Sequence, residues 1–302
     1  MAMPLKDFEE MRVILAQSAS KKNLAVVYAM DHHTVEAAVL SKRRGVALPT
    51  LIGDHNKMIE LLRHFNEEEA GYNLVQADDP VAAAQTAVDL VKKGEADCIL
   101  KGAVQTGDLM RAVLSGKTGI RNQQVASHVC LLDLPDYHKI LVTTDGAMNL
   151  SPNMEERIQI LNNSLFVLKK LGYTNPKVGV LEANELVNNK VPTSQEAEMM
   201  KEMNRRGEIM GCIIEGPISF DLAVDRKACE AKGYKSEVGG DVDILLCPYF
   251  TVANAMTKAL QTFGKARTSG VVIGAKVPIV LVSRASEAEE KYDSIVLAML
   301  VN

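Results

Sequence analysis

Short apolar runs alternate with amphipathic segments along the first half of the chain. The runs LAVVYAM (24–30), PTLIGD (49–54) and CILKG (98–102) are almost continuously apolar. This is typical of strands that are buried on both faces of a parallel sheet. The segments between them have apolar residues at helical spacing. Strands that alternate with helices of this length predict parallel pairing and an α/β fold.

The alternation is interrupted once, in the middle of the chain. The apolar runs at 125–134 and 138–146 are separated only by Pro135, Asp136 and Tyr137, which predicts a hairpin or a sharp corner. Strands and helices alternate again after it, and the last segment is expected to return to the first sheet. We therefore predict two α/β/α domains with mostly parallel sheets. The first comprises residues 1–134 plus 264–302, and the second comprises 135–263.

Composition and charge exclude several classes of protein. The 302 residues include no Trp and carry a net charge of −4, which argues against a nucleic-acid surface. No run approaches the ~18 apolar residues of a membrane span. The first residues lack the apolar core of a signal peptide. The five scattered cysteines are typical of reduced core residues. We expect a cytoplasmic protein with no nucleic-acid or membrane partner.

The sequence predicts no metal site. No His/Cys group has the spacing of zinc ligands. His32 and His33 precede a predicted helix, where they are interpreted as capping or surface residues.

Polar side chains follow two of the predicted strands. In VPIVLVSRASEAEE (277–290), Ser283 and Arg284 come directly after an apolar run. Lys101 lies at the end of the strand CILKG, and Thr106 opens the helix that follows it. Ligands of open parallel sheets bind beyond the carboxyl ends of strands, where helix N-termini and a guanidinium fork suit phosphate or carboxylate. The alternatives are that Ser283 bonds the backbone, that Arg284 extends to solvent and that Thr106 only caps its helix.

Six motifs together resemble the phosphate acetyl/butyryltransferase family, and most of all its phosphate butyryltransferase branch. They lie in family order between about residues 97 and 286: LKGAVQTGDLMRAVL, GIRNQQVASHV, YHKILVTTDGAMNLSPN, EGPISFDLAV, GGDVDILLCPYFTVANAMTKAL and SGVVIGAKVPIVLVSRAS. The resemblance implies an isocitrate-dehydrogenase-like fold and a homodimer. It also implies the reaction acyl-CoA + phosphate ⇌ acyl phosphate + CoA in a cleft between the domains. CoA would be a substrate, the acyl group butyryl or branched-chain, and no cofactor or metal would be needed.

The resemblance also implies roles for individual residues. Ser283 and Arg284 match the family's Ser–Arg pair, in which Arg284 would hold the phosphoryl group and Ser283 would orient the thiol or the developing oxyanion. Arg121 matches a second arginine of the phosphate site. The other matches are positions that line the cleft, namely Lys101, Thr106, Ser127 and Asn254.

The general base is where this chain departs from the family pattern. The acetyltransferase branch has an aspartate seven residues after the serine, and here that position is Glu290. Glu287 and Glu289 are close in sequence, and Ser286 and Glu289 have the spacing of a capping box. We therefore assign the base to Glu290.

Two other functions are considered beside the acyltransferase. An NAD-dependent hydroxyacid dehydrogenase on the same fold would need a metal-binding carboxylate cluster, which the sequence does not indicate. A non-catalytic protein that binds CoA or acyl phosphate is left open by the altered base position.

Overall fold

The computed structural model describes residues 4–17, 22–283 and 286–302. The chain divides into two compact units. The first unit comprises the described parts of Glu9–Ala126 and Ser269–Asn302, and the second comprises residues 4–8 and Ser127–Thr268. The sequence predicts the first boundary after residue 134, whereas the unit ends at residue 126. It predicts the second before residue 264, whereas the first unit resumes at residue 269. The predicted domain assignment and the predicted cleft stay predictions.

The chain before residue 127 alternates strands with helices, as its apolar pattern predicts. Its elements are α1 (Phe8–Ala16), β1 (Lys22–Val27), α2 (His32–Arg43), β2 (Ala47–Gly53), α3 (His55–His64), β3 (Asn73–Gln76), α4 (Pro80–Lys93), β4 (Cys98–Lys101) and α5 (Thr106–Leu114). Helices α2, α3 and α4 each begin after an aspartate whose carboxylate accepts a backbone N–H of the first turn. These caps satisfy N–H groups that have no partner within the helix.

The rest of the chain continues the alternation after the predicted hairpin. Its elements are β5 (Ser127–Asp133), β6 (Leu141–Thr144), α6 (Met154–Lys170), β7 (Lys177–Leu181), α7 (Pro192–Arg205), β8 (Ile213–Ile218), α8 (Phe220–Val224), α9 (Arg226–Ala231), β9 (Ile244–Leu246), α10 (Phe250–Thr262), β10 (Arg267–Ile273), β11 (Ile279–Val280) and α11 (Ala288–Val301). The predicted hairpin is confirmed, because Cys130 of β5 pairs with Thr143 of β6 in antiparallel register.

Each unit has its own run of paired strands. The order is β3-β2-β1-β4-β11-β10 in the first unit and β5-β6-β9-β7-β8 in the second. Pairing within these runs is parallel except between β10 and β11 and between β5 and β6. The predicted fold class, α/β with mostly parallel sheets, is confirmed.

The last segment returns to the first unit, as the sequence predicts. Ile279 and Val280 pair in parallel with Ile99 and Leu100 of β4. Only these two residues of the predicted strand at 277–282 form β11. The helix that follows, α11, is buried along almost its whole length. In the described part of the chain, none of the helices has the length and apolarity that a membrane-spanning segment requires.

Candidate active site

Three loops of the first unit leave the carboxyl ends of the neighbouring strands β1, β4 and β11. Strand β4 pairs in parallel with β1 on one side and with β11 on the other. Lys101, the last residue of β4, is buried. Thr106 is half-buried at the start of α5, and Ser283 is exposed after β11. The structure therefore brings three predicted site residues to one edge of the sheet, where open parallel sheets bind ligands.

Thr106 is the first residue of α5 and not its cap. Gln105 occupies the N-cap position and makes no side-chain capping bond. The simple capping role that the sequence allowed for Thr106 is therefore wrong, and its hydroxyl is not committed to a cap.

Gly102 allows the loop after β4 to approach the end of β1 closely. Its N–H donates to the carbonyl of Val27 at 3.0 Å, and the next N–H donates to the carbonyl of Tyr28 at 3.0 Å. A Cβ atom at residue 102 would lie 2.5 Å from Val27 O and 2.7 Å from Tyr28 O. Both are backbone atoms, so they cannot move aside as a flexible side chain could. The glycine thus fixes where Lys101 leaves the strand.

We expect Gly102→Ala to lower the free energy of unfolding by about 1–3 kcal/mol, because the added methyl group overpacks two backbone carbonyls. Gly107→Ala in α5 is the matched control, since a Cβ atom there would meet no atom within 4 Å. That variant is expected to stabilise by about 0.5–1 kcal/mol, because alanine suits a helix better than glycine. Urea denaturation of both variants measures the difference, and equal stability would contradict the close approach.

Ser283 and Glu290 are linked through a common neighbour, Ser286. The N–H of Ser286 donates to the Ser283 carbonyl at 3.1 Å. The side chain of Ser286 is hydrogen-bonded to Glu290, which is half-buried in the first turn of α11. Burial raises the pKa of Glu290 above its ordinary value, although this hydrogen bond and the charge of Lys291 oppose the increase. Arg284 lies outside the described residues, so its role stays a prediction.

Glu289 has surroundings different from those of Glu290. The predicted capping box of Ser286 and Glu289 is wrong, because α11 begins after Glu287 and has no side-chain cap. The exposed carboxylate of Glu289 instead pairs with Arg44 at 2.6 Å and with Arg12 at 3.2 Å. The two adjacent glutamates therefore differ in burial and in their partners.

Arg121 lies at a different edge of the first unit from Ser283. Its backbone forms an antiparallel bridge with Ala275, which precedes β11, whereas Ser283 follows β11. Its exposed guanidinium donates to the carbonyl of Gln123 at 2.9 Å and to that of Gln124. The structure does not bring Arg121 beside Ser283, and its part in the phosphate site stays a prediction.

The two remaining predicted residues lie in the second unit. Ser127 is fully buried, and its Oγ accepts a hydrogen bond from Asn163 Nδ2 at 2.8 Å. Asn254 Nδ2 donates to the carbonyl of Gly146 at 3.0 Å, in the loop after β6. Ser127 begins β5 and Gly146 follows the end of β6, and these two strands are antiparallel, so both residues lie at the same end of the pair. These two predicted residues therefore share one edge of the sheet in their own unit.

Asp145 organises the loop at this edge, a role that was not predicted from the sequence. Its buried carboxylate accepts the N–H groups of Ala147, Met148 and Asn149, at 2.9–3.0 Å, and the Asn149 side-chain amide at 2.6 Å. The sequence signal for this loop was the pair Asp145–Gly146, because Asp-Gly is frequent in turns. Since its oxygens are engaged within the loop, Asp145 has a structural role.

Among the described residues, one group of side chains has metal-ligand spacing. Glu36 Oε2 lies 3.8 Å from His32 Nδ1 and 4.0 Å from His33 Nδ1, in the first turns of α2. His32 and His33 do not precede or cap α2, as the sequence suggested, but are its first two residues after the cap Asp31, so one helical turn brings both near Glu36. Its side chains are largely exposed. That the reaction needs no metal stays a prediction.

The chain is similar to known proteins over nearly its whole length. Residues 62–299 match the protein family described as phosphate acetyl/butaryl transferase. The chain is 35% identical to the phosphate butyryltransferase of Clostridium acetobutylicum, over 98% of both chains. It is 36% identical to the phosphate acetyltransferase of Thermotoga maritima, over 96% of this chain and 98% of that protein.

A solved structure extends the similarity to three dimensions. The branched-chain phosphotransacylase from Enterococcus faecalis V583 superposes with a TM-score of 0.82 and 31% sequence identity. The superposition covers 92% of this chain and 98% of that chain. The similarity therefore includes the α/β elements before residue 97 as well as the six motifs after it.

Proposed function

Because the chain belongs to the phosphate acetyl/butaryl transferase family and is an acyltransferase, we propose that it transfers a short acyl group between CoA and inorganic phosphate. The observation that carries the proposal is the match to relatives of this activity over nearly the whole chain. The positions of Lys101, Thr106 and Ser283 at one edge of a parallel sheet support it, since this is where such sheets bind ligands.

The proposed reaction is direct attack without an acyl-enzyme intermediate. The CoA thiolate attacks the carbonyl carbon of the acyl phosphate, and the carbonyl electrons move to the oxygen. When they return, the bond to the phosphate oxygen breaks and phosphate leaves. Glu290 takes the thiol proton, Ser283 donates a hydrogen bond to the developing oxyanion, and Arg284 holds the phosphate. The raised pKa of Glu290 brings its basicity closer to that of the thiol, which favours proton transfer.

The acyl group is proposed to be butyryl or a branched chain of similar size. The relatives named above are a butyryltransferase, an acetyltransferase and a branched-chain phosphotransacylase. One methylene in an apolar pocket changes selectivity by only about 1–3 kcal/mol. We expect a graded preference across acetyl-, propionyl-, butyryl- and isobutyryl-CoA. We also propose a cytoplasmic homodimer that has CoA as a substrate and no resident cofactor, as the family resemblance implies.

The purified protein is expected to release CoA from butyryl-CoA only when phosphate is present, and to do so equally well in EDTA. A thiol reagent measures the released CoA. A dehydrogenase would instead reduce NAD with a hydroxyacid, and a non-catalytic binding protein would bind CoA without turnover. Complete loss of activity on chelation, restored by a divalent ion, would contradict the metal-free reaction.

A further inference from the structure

Lys291 is a buried lysine in the first turn of α11 that the proposed reaction does not use. It is 3% exposed, and its Nζ donates to the Ser283 carbonyl at 3.2 Å. Burial lowers the pKa of its amine, whereas the charges of Asp31 and Glu290 raise it. Taking an ammonium out of water costs free energy that an apolar side chain at the same place would not cost. Packing alone therefore does not explain why a lysine is buried at this position.

The ammonium of Lys291 lies where three parts of the first unit meet. Asp31, at the end of the loop after β1, is fixed because its Oδ1 accepts the N–H of Thr34 at 2.9 Å as the cap of α2. Ser283 belongs to the loop after β11, and Glu290 is the residue before Lys291. The ammonium of Lys291 thus contacts the carbonyl of the predicted catalytic serine, and the charges of two carboxylates, those of Asp31 and Glu290, act on it.

Polar contacts fix the helix that carries Lys291. Ser294 Oγ donates to the Glu290 carbonyl and accepts the N–H of Gly270 in β10, both at 3.0 Å. Asp293 pairs with Arg12 at 2.6 Å. Because α11 is held in this way, the root of Lys291 is fixed, and its ammonium can set the position of the Ser283 carbonyl.

We propose that Lys291 is a positioning residue for the acyl transfer, acting through the Ser283 carbonyl. This carbonyl accepts two donors, the Ser286 N–H and the Lys291 ammonium. Since a peptide unit is planar, holding the carbonyl also fixes the peptide plane that leads to residue 284. Lys291 is too buried to bind a substrate itself. It therefore positions Ser283, and this role depends on the proposed function.

Lys291→Met tests this role, because methionine keeps the length and removes the donor. We expect kcat to fall by about 10–100-fold while the KM for acyl-CoA stays within about twofold, since displaced catalytic groups lose rate more than binding. Lys22→Met is the matched control. Lys22 Nζ also donates to a carbonyl of α11, that of Met299, at 2.8 Å but at the other end of the helix. Its kcat is expected to equal that of the unchanged protein.

Lys291→Arg and a structural readout complete the test. The arginine keeps a charged donor, so it is expected to recover more than half of the lost rate. In Lys291→Met, the Ser286 amide is expected to exchange with solvent about tenfold faster than in Lys22→Met. Normal kcat in a folded Lys291→Met variant, or unchanged amide exchange, would overturn the positioning role. If Lys291→Met does not fold, Lys291→Gln is measured in its place and decides in the same way. Absence of turnover in the unchanged protein would contradict the proposed function, while the exchange measurement would still test the contact.

Discussion

Replacement of Arg284 by alanine is expected to lower kcat/KM for phosphate by about 10²–10³-fold, because it removes the donors that hold the phosphate, and the loss of one preorganised hydrogen-bond donor in an active site has this magnitude. Arg284→Lys is expected to be almost as poor, because an ammonium cannot reproduce the planar fork that binds two phosphate oxygens. Initial rates over a range of phosphate concentrations, at fixed butyryl-CoA, measure both variants.

Two further arginine variants show whether a loss of phosphate use is particular to the predicted phosphate site. Arg111→Ala is the control, because Arg111 is an exposed arginine of α5 that pairs with Asp108 one turn away. Its phosphate saturation is expected to be unchanged. Arg121→Ala is expected to weaken phosphate use if the family match is right, even though its guanidinium bonds its own loop. If Arg284→Ala and Arg121→Ala both saturate normally, the anion site lies elsewhere in the protein.

The apolar pattern predicted the fold class because strand burial is a local signal. The apolar stretches before Lys101 and Ser283 are apolar on both faces, which is typical of strands covered by helices on both sides. In the structure these strands, β4 and β11, pair in parallel with each other, and β4 also pairs with β1. The same logic placed polar residues at strand ends, where ligands bind. Lys101, Thr106 and Ser283 lie at one edge of the sheet because parallel neighbours end at the same edge.

The start of α11 and the burial of Lys291 depend on contacts distant in sequence, so the sequence did not predict them. Ser286 and Glu289 have capping-box spacing, but Glu289 instead pairs with Arg44 and Arg12. Nothing in the sequence around Lys291 indicates that it is buried, since a lysine in the first turn of a helix is usually exposed. Its burial depends on α11 being covered along nearly its whole length.

The pKa of Glu290 determines the sign of its effect on stability. Burial raises this pKa in the folded protein, so the folded state keeps the proton to a higher pH than the unfolded chain does. The stability that this proton gives is fully present below the ordinary pKa of a glutamate and is lost as the pH rises through the raised value. At neutral pH the ionised carboxylate therefore costs stability, and Glu290→Gln is expected to be as stable as the unchanged protein or slightly more stable.

Turnover is expected to respond in the opposite way. If Glu290 takes the thiol proton, Glu290→Gln lowers kcat by about 10²–10⁴-fold, the usual contribution of a general base. Measured as acyl-CoA formation from acyl phosphate and CoA, the direction in which Glu290 acts as the base, it also removes the rise of activity with pH that the raised pKa gives the unchanged protein. Glu289→Gln is the matched control, since it changes the neighbouring residue identically but removes only exposed ion pairs, which contribute about 0–1 kcal/mol. Its kcat and pH profile are expected to stay normal. Near-normal turnover in both variants would show that neither carboxylate is the base, and thiol activation would then fall to Glu287 or to Ser283 with the nearby arginine.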